Sequence, residues 1–436
     1  MEILLYIAGI LFMLVGLGLS IGLHEIGHLV PAKLFGVRVG QYMIGFGPRL
    51  WSKKIGETEY GFKMLPLGGF ISMSGMYPAS DGKPVRGLFR TLVQDARSAN
   101  DETIAEGAEE RVFYRLPMWK RIVVMLGGPV MNLILAVIIF TVLASGIGLE
   151  QGTTTIAGVN ECVLPAGTSQ TECEAGDPAT PAAEAGVLPG DVLVSVGGTP
   201  VSTFAEATEI VQEAPGERLD LVVLRDGERV DLTITPIRAE RELTDASGQP
   251  LLDEDGTQIV AEVGYVGMLS QMGYVPQPIG VGPELAGENV GRVVGLIATL
   301  PVKLWDVGVS LFTGSDRDPD GPLSVVGVGR LAGEVAATDA PVLNRFVVLL
   351  NLLGSLNIAL FVFNLIPLLP LDGGHVVVAL WDGIRRAWAK LFRRPPPAPV
   401  DATRLVPLTV VVAVLLIGMG ALLMIADVVN PVDLLG

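Results

Sequence analysis

The stretch LSIGLHEIGHLVPAKLFG, residues 19 to 36, places two histidines and a glutamate in a segment that is otherwise apolar enough for a lipid bilayer. It continues an uncharged run, Ile3 to Leu23, and a helix needs about 20 apolar residues to cross a membrane. Ionisable groups at membrane depth are energetically costly and tend to mark a functional site. The stretch therefore predicts a membrane fold with a site inside it.

The composition agrees with a membrane protein that also carries soluble parts. Of the 436 residues, 17% are charged, and the mean hydropathy is +0.52, which is too apolar for an ordinary soluble enzyme. The net charge of −16 disfavours nucleic acid as a partner. With only two cysteines, Cys162 and Cys173, a thiolate metal site is excluded, so any metal must be held by histidine and carboxylate.

The apolar segments predict a polytopic α-helical membrane protein with about four transmembrane helices. The loops after the first and third spans are rich in Lys and Arg, whereas residues 150 to 286 are acidic and contain no Lys. The positive-inside rule makes those two loops cytoplasmic and the acidic region extracytoplasmic. A further segment, Val290 to Phe312, contains charges and Pro301, and we interpret it as amphipathic helices on the outer membrane face. The four predicted spans are Ile3 to Leu23, Ile122 to Leu149, Phe346 to Leu371 and Leu405 to Ile425.

His24, Glu25 and His28 form the pattern H-E-x-x-H. Residues four apart lie one turn apart on one helix face, so both imidazoles can reach the same cation. Glu25 is rotated by about 100° from His24 and can reach a water beside that cation. Because imidazole and carboxylate ligands suit Zn²⁺ and leave one position open for water, the pattern predicts a catalytic zinc site with Glu25 as general base.

A catalytic zinc normally has three protein ligands, and the end of the third predicted span offers the missing one. The segment NLIPLLPLDGGH, residues 364 to 375, contains two prolines that break a helix and two glycines that we expect to loosen it further. Asp372 is the carboxylate in this segment and is our predicted third ligand. His375, three residues closer to the cytoplasm, is an alternative.

These motifs occur together in an order that resembles a known family. HEIGH in the first span, GGPVMN at residues 127 to 132, a PDZ-like middle region and NLIPLLPLDGG in the third span resemble the site-2 proteases, which are intramembrane zinc metalloproteases. The arrangement is most similar to bacterial enzymes that cut anti-sigma factors. The resemblance implies His24, His28 and Asp372 as zinc ligands, Glu25 as catalytic base, and Asn364 as a residue near the substrate carbonyl.

A protease acting in the membrane must unwind its helical substrate, because helical hydrogen bonds hide the peptide groups. Residues 56 to 75 read as a β-hairpin with a Pro-Leu-Gly-Gly bend, and a strand edge there can hold an extended peptide. The resemblance implies that this hairpin re-enters the membrane, and we predict that Leu67, Gly68 and Gly69 contact substrate. GGPVMN is expected to supply small residues for close helix packing, and Asn132 in it can also face the active-site cavity.

The outer region is expected to contain a PDZ-like α+β domain at residues 150 to 240. The resemblance implies that this domain screens substrates by the size or end of their outer part, and a folded spacer that binds no peptide is the alternative. A disulfide between the two cysteines is compatible with an oxidising compartment, although two free thiols remain an alternative. The full expected division is a first transmembrane helix (1–35), a cytoplasmic loop with the re-entrant hairpin (36–118), a second transmembrane helix (119–149), the PDZ-like domain (150–240), an extracytoplasmic linker with amphipathic helices (241–343), the third transmembrane segment with the LDG motif (344–392), and a proline-rich turn with the fourth helix (393–436).

The predicted function is cleavage of single-span membrane proteins within the bilayer of a bacterial cytoplasmic membrane. The resemblance implies anti-sigma factors as substrates, cut first on their outer side by another protease. One alternative is a membrane-anchored PDZ scaffold or chaperone with an inactive metal site. A second is a membrane zinc protease for lipidated C-termini, which the PDZ-like region and the LDG segment disfavour.

Overall fold

The structure is a computed structural model that divides the chain into two compact units. The first unit comprises Met1–Leu143 and Gly280–Gly436, and the second comprises Ala144–Ile279. The residues that the structure describes are 2–78, 89–104, 109–163, 173, 177–242, 253, 258–319 and 321–432.

Helices dominate the first unit, and the second combines strands with two short helices. The helices are α1 (Glu2–Leu34), α2 (Arg90–Glu102), α3 (Met118–Thr141), α4 (Pro181–Glu184), α5 (Phe204–Glu213), α6 (Val281–Thr313), α7 (Val325–Ala337), α8 (Val342–Asn364), α9 (Asp372–Leu391) and α10 (Val406–Val429). The strands are β1 (Val39–Ile55), β2 (Thr58–Met73), β3 (Leu149–Val159), β4 (Val192–Val196), β5 (Thr199–Pro200), β6 (Leu219–Arg225), β7 (Glu228–Ile234), β8 (Ile237–Glu242), β9 (Val260–Tyr265) and β10 (Met268–Val275).

Within the described residues, five helical segments are long and apolar enough to cross a membrane, one more than the sequence predicted. They are Glu2–Leu34, Met118–Ile147, Val281–Thr313, Val342–Asn364 and Ala402–Val429. The additional segment is α6, a single 33-residue helix that continues through Pro301. The expectation of several separate amphipathic helices there was therefore wrong, because α6 tolerates this proline without ending.

The long helices present large apolar side chains outward. Leu4 on α1 is 72% exposed and Ile417 on α10 is 71% exposed, far more than a soluble domain shows over whole helical faces. Because the backbone hydrogen bonds of these helices are satisfied internally, such faces are suited to lipid. The chain is thus a multi-pass membrane protein with additional β-structure.

Glycines bring α1 and α3 into close contact at the centre of the first unit. A Cβ added at Gly27 or Gly127 would overlap the backbone carbonyl of the other residue, so the two helices approach each other as closely as backbones allow. The predicted role of GGPVMN in close helix packing is confirmed. A buried polar contact joins α1 to α8, where the Asn357 side-chain amide donates to Ser20 Oγ (2.9 Å).

The β-hairpin beside these helices is larger than predicted and is paired differently. Residues 41 to 44 of β1 pair with residues 59 to 62 on one side and with residues 69 to 72 on the other. The two halves of the 56 to 75 segment therefore pair with β1 and not with each other. The predicted hairpin closed by a Pro-Leu-Gly-Gly bend was wrong, since residues 41 to 44 of β1 lie between the two halves. Among the residues that the structure describes, Gly69 to Met73 forms one edge of this sheet, and residues 51 to 55 form the other.

The helix break before Asp372 also differs in detail from the prediction. Helix α8 ends at Asn364, and α9 begins at Asp372 after an irregular segment that contains the prolines. Gly373 and Gly374 do not loosen the backbone, because they form the first turn of α9. A Cβ on Gly374 would lie 2.5 Å from Leu369 N, so these glycines let the irregular segment fold back against the helix.

The second unit is built on a sheet with strand order β10-β3-β4-β6-β7, with β5 paired to β4, and β8 pairs separately with β9. Its core contains Ile156, Leu193, Val196, Leu221 and Val223, which are all almost fully buried. Strand β10 belongs to the main sheet, and β9 precedes it directly in sequence. Both strands lie in the region, residues 241 to 343, that was expected to be a linker. Cys162 and Cys173 form a disulfide.

Candidate metal centre

The two histidines of HEIGH project from the same face of α1, as their spacing requires. Their Nε2 atoms lie 3.2 Å apart, and the two rings are nearly perpendicular, with an interplanar angle of 79°. His28 is buried, and so is Glu25 between the two histidines in sequence. The geometry predicted from the sequence for His24 and His28 is therefore present on the helix.

The other nitrogen of each imidazole is held by α3. His28 Nδ1 donates to the backbone carbonyl of Val124 (2.7 Å), and His24 Nδ1 lies 3.0 Å from Asn132 Oδ1. Because both Oδ1 and the carbonyl oxygen accept hydrogen bonds, each Nδ1 carries the proton and each Nε2 presents its lone pair. The sequence analysis gave a position facing the active-site cavity as one of two interpretations of Asn132. No feature of the sequence indicated that the Val124 carbonyl would accept a hydrogen bond from His28.

Asp372, the first residue of α9, brings a third acceptor atom to the same point. Its Oδ2 lies 3.3 Å from His24 Nε2 and 3.4 Å from His28 Nε2. This oxygen is buried and has no hydrogen-bond donor among the described residues. Three lone-pair-bearing atoms therefore converge in a buried place, which is unfavourable unless a cation lies between them.

The spacing of these atoms fits zinc. Zn–N bonds of about 2.0–2.1 Å and Zn–O bonds of about 2.0–2.2 Å at tetrahedral angles put neighbouring ligand atoms about 3.3–3.5 Å apart. The three separations between the Nε2 atoms and Asp372 Oδ2 are 3.2, 3.3 and 3.4 Å. The donor set of two neutral imidazoles and one carboxylate also matches catalytic zinc, leaving one position for water.

Gly128 provides the space in which the histidine rings sit. A Cβ at this position would overlap His28 Nε2 and would lie 2.7 Å from His24 Nε2. The sequence indicated that this glycine packs helices together, but its contact with the imidazoles depends on how α3 crosses α1.

Glu25 lies between the histidine face of α1 and the edge segment of β2. A Cβ on Gly69 would be 2.9 Å from Glu25 Cγ and 3.1 Å from Glu25 Oε1, so the backbone of β2 passes directly beside this carboxyl group. Gly68 faces the ring of Phe46 instead. The side chain of Leu67 is outside the described part of the structure. Of the two predicted substrate contacts that the structure describes, Gly69 lies beside Glu25 and Gly68 does not.

Two other predicted positions are occupied differently. The Asn364 side chain donates to the Leu360 carbonyl within α8 (3.0 Å) and makes no hydrogen bond to the histidine cluster. The ring of His375 stacks on Tyr77, with centroids 6.2 Å apart, and His375 does not belong to the cluster of possible metal ligands among the described residues. Asp372 therefore fits the third position and His375 does not.

Comparison with known proteins finds zinc metalloproteases. The model of peptidase family M50 matches residues 12–393. The zinc metalloprotease Rip1 of Mycobacterium tuberculosis is 35% identical over 99% of this chain and 100% of its own length. Rip1 of Mycolicibacterium smegmatis is 32% identical over 98% of both chains, and the metalloprotease MmpA of Caulobacter vibrioides is 27% identical over 87% of this chain and 88% of its own.

The matched region contains the part of α1 that carries HEIGH and the start of α9, so it includes every residue of the histidine and aspartate cluster. The match to a peptidase family and to zinc metalloproteases favours an enzyme over the alternative of a membrane-anchored PDZ scaffold with an inactive metal site. The chain belongs to peptidase family M50, the site-2 protease family, and is a membrane zinc metalloprotease.

Proposed function

We propose that the chain hydrolyses peptide bonds of membrane-embedded segments, with His24, His28 and Asp372 as zinc ligands and Glu25 as general base. The observation that supports this assignment is the convergence of three acceptor atoms within 3.4 Å of one another. Bound zinc supplies Lewis acidity, which polarises a peptide carbonyl and makes water nucleophilic near neutral pH.

The protein residues perform the remaining steps. Val124 and Asn132 hold the histidines in the tautomer that leaves both Nε2 lone pairs free. Glu25 takes a proton from the attacking water and later gives it to the leaving amine. Burial of Glu25 excludes competing bulk water from this proton transfer.

Substrate is presented by strand addition to the edge segment Gly69–Met73. Within the described part of the chain, this segment pairs with β1 on one side only, and its first residue lies against Glu25. An extended peptide bound along the free side would have its carbonyl groups aligned next to the catalytic carboxylate. A helical substrate must unwind to bind in this way, which favours segments whose helix is weak.

We also propose that the second unit is a PDZ-like domain outside the cytoplasm, and that it screens single-span substrates such as anti-sigma factors after an outer cut. Its antiparallel sheet, the capped helix α5 and the disulfide support this assignment. The host membrane is then the bacterial cytoplasmic membrane. Anti-sigma factors are implied by the resemblance in sequence order described above.

In the same proposal α6 lies along the outer face, leaving four spans. The start of α6 contacts the end of α3, because Gly282 packs on Thr141, and the segment after its end contacts the end of α10, where Asn430 donates to the Ser315 carbonyl. The starts of α3 and α10 both lie on the side of the β-hairpin and α2. These contacts support a position of both ends of α6 on the opposite side, whereas a helix that crosses the membrane would have its ends on different sides.

The test is the Glu25→Gln variant, assayed in vesicles with a single-span peptide reporter. We expect unchanged zinc content and cleavage reduced by about 10²- to 10⁴-fold, which is the typical contribution of a general base. Glu2→Gln, which changes the other acidic residue of α1, serves as the matched control and should cleave normally. Retained cleavage in Glu25→Gln would refute the general-base role, and retained cleavage after loss of both histidines would refute the zinc site.

A further inference from the structure

Helix α9 carries an apolar stripe whose side chains are largely exposed. Its side chains recur at intervals of four and three residues, so they lie on one helix face. On the opposite face, Ala379, Asp382 and Ala389 are buried. Helix α9 is not among the segments apolar enough to cross a membrane. The stripe consists of Val377 (44% exposed), Trp381 (56%), Ile384 (55%), Trp388 (58%) and Leu391 (74%).

The C-terminal half of this stripe forms one wall of a groove. After α9 the chain reverses, and the Arg394 backbone N–H donates to the Ala389 carbonyl (2.8 Å). The proline-rich segment that follows closes the other side of the groove, which has a volume of about 540 Å³. Its lining combines apolar surface with two guanidinium groups: Trp381, Ile384, Trp388, Pro395, Arg385 and Arg394.

The surface around the groove is positively charged, although the whole chain has a net charge of −16. Among the described residues, no acidic group pairs with Arg385, Lys390, Arg393 or Arg394. Asp382 does not compensate for these charges, because it is fully buried and already bound by two other arginines. A ligand for this groove must therefore offer both an anion and an apolar chain.

The position of α9 in the fold indicates that the ligand of this groove is a lipid. Asp372 at its start lies in the histidine cluster, and α9 then runs along α3 toward the start of that helix, where Arg121 contacts Asp382 (2.5 Å) and Gly383 packs on Met118. The groove is thus located where the apolar part of α3 ends, which is the level of lipid headgroups. Exposed tryptophans combined with Lys and Arg are typical of helices at this interface.

We infer that this groove binds an anionic phospholipid of the cytoplasmic leaflet. The headgroup phosphate interacts with Arg385 and Arg394, and an acyl chain lies along Trp381 and Trp388. The site is separate from the catalytic centre, and it goes beyond the proposed proteolytic function because neither peptide nor zinc takes part in it.

The experiment uses the full chain reconstituted in phosphatidylcholine with increasing fractions of phosphatidylglycerol carrying brominated acyl chains, which quench nearby tryptophan fluorescence. We expect saturable quenching at low phosphatidylglycerol fractions. Trp381→Phe/Trp388→Phe should abolish this saturable component. Brominated phosphatidylcholine should produce no saturable component.

The headgroup contacts are tested with Arg385→Gln/Arg394→Gln. Each charge near an anionic lipid contributes about fivefold, so this variant should weaken the apparent affinity by about 25-fold. The matched control is Arg229→Gln/Arg238→Gln, which removes two exposed arginines of the second unit and should leave the affinity unchanged.

Three outcomes would overturn the inference. The first is equal quenching by the two brominated lipids, which would show an unselective apolar surface. The second is wild-type affinity in Arg385→Gln/Arg394→Gln, which would move the anion site elsewhere. The third is full displacement of phosphatidylglycerol by millimolar inorganic phosphate, which would make the groove a phosphate site with no need for an acyl chain.

Discussion

Substitution of Gly128 by alanine tests the geometry of the metal centre without removing any proposed ligand. The added methyl group would overlap His28 Nε2 and would lie 2.7 Å from both His24 Nε2 and His28 Cε1. Normal contacts between non-bonded heavy atoms are about 3.5–4.0 Å, so the rings would have to retreat by about 0.8 Å or more. Metal sites tolerate ligand displacements of only about 0.2 Å.

Changes to the groups that hold metal ligands typically weaken metal binding by about 10- to 100-fold. We therefore expect Gly128→Ala, which displaces two ligands directly, to weaken zinc binding by at least about 100-fold. The protein should still fold, because alanine in place of glycine favours a helix by about 1 kcal/mol. The assay is zinc content of the purified full chain together with competition by a chelator of known affinity.

The matched control is Gly18→Ala on α1, where an added Cβ would meet no atom within 4 Å. This variant should bind zinc like the wild type and should be at least as stable. Normal zinc affinity in Gly128→Ala would refute the reasoning, since it would mean that the histidines are not held against this glycine.

Two further predictions concern ion pairs in the two units. Asp382→Asn leaves the buried Arg121 without a carboxylate and should lower the free energy of unfolding by about 3–5 kcal/mol, whereas Arg386→Gln, which removes the exposed partner of Asp382, should cost less than about 1 kcal/mol; similar shifts of the thermal midpoint in both variants would contradict this. In the second unit, the Arg225 guanidinium donates to Asp191 and lowers the pKa of that carboxyl group. The resulting stability is present above the unfolded pKa of about 3.9 and is lost as the pH falls through the lower folded value. The protection of β4 and β6 amides against hydrogen exchange, relative to their intrinsic exchange rates at each pH, should thus fall below about pH 4 in the full chain. Asp191→Asn should lack this step, and a wild-type protection that does not change with pH would contradict the pairing.

The sequence was most informative where the chemistry depends on local spacing. The i,i+4 relation of His24 and His28 holds on any α-helix, so the shared face of the two imidazoles followed directly from the pattern. The prolines before Asp372 predicted a helix break, and α8 does end before them. Spacing could not show that Gly373 and Gly374 belong to the next helix, because glycine accommodates both loops and the close approach of a neighbouring backbone.

Strand pairing was predicted less well, for a physical reason. The alternation of residues within a strand indicates that the strand exists, but its partners are chosen among distant segments. Residues 56 to 75 were therefore expected to pair with themselves, whereas β1 lies between their two halves. The proximity of Gly69 to Glu25 results from this arrangement and not from the bend that the sequence suggested.

The sequence by itself determined the membrane character, the pair of histidines on one helix and the carboxylate that completes the donor set, because apolar length and helical periodicity are properties of a continuous segment. Only the tertiary structure decided that Val124 and Asn132 orient the imidazoles, that Gly128 leaves room for them, and that α9 presents a basic apolar groove. These features depend on distances between segments far apart in the chain, and such distances are set by how closely the helix backbones pack.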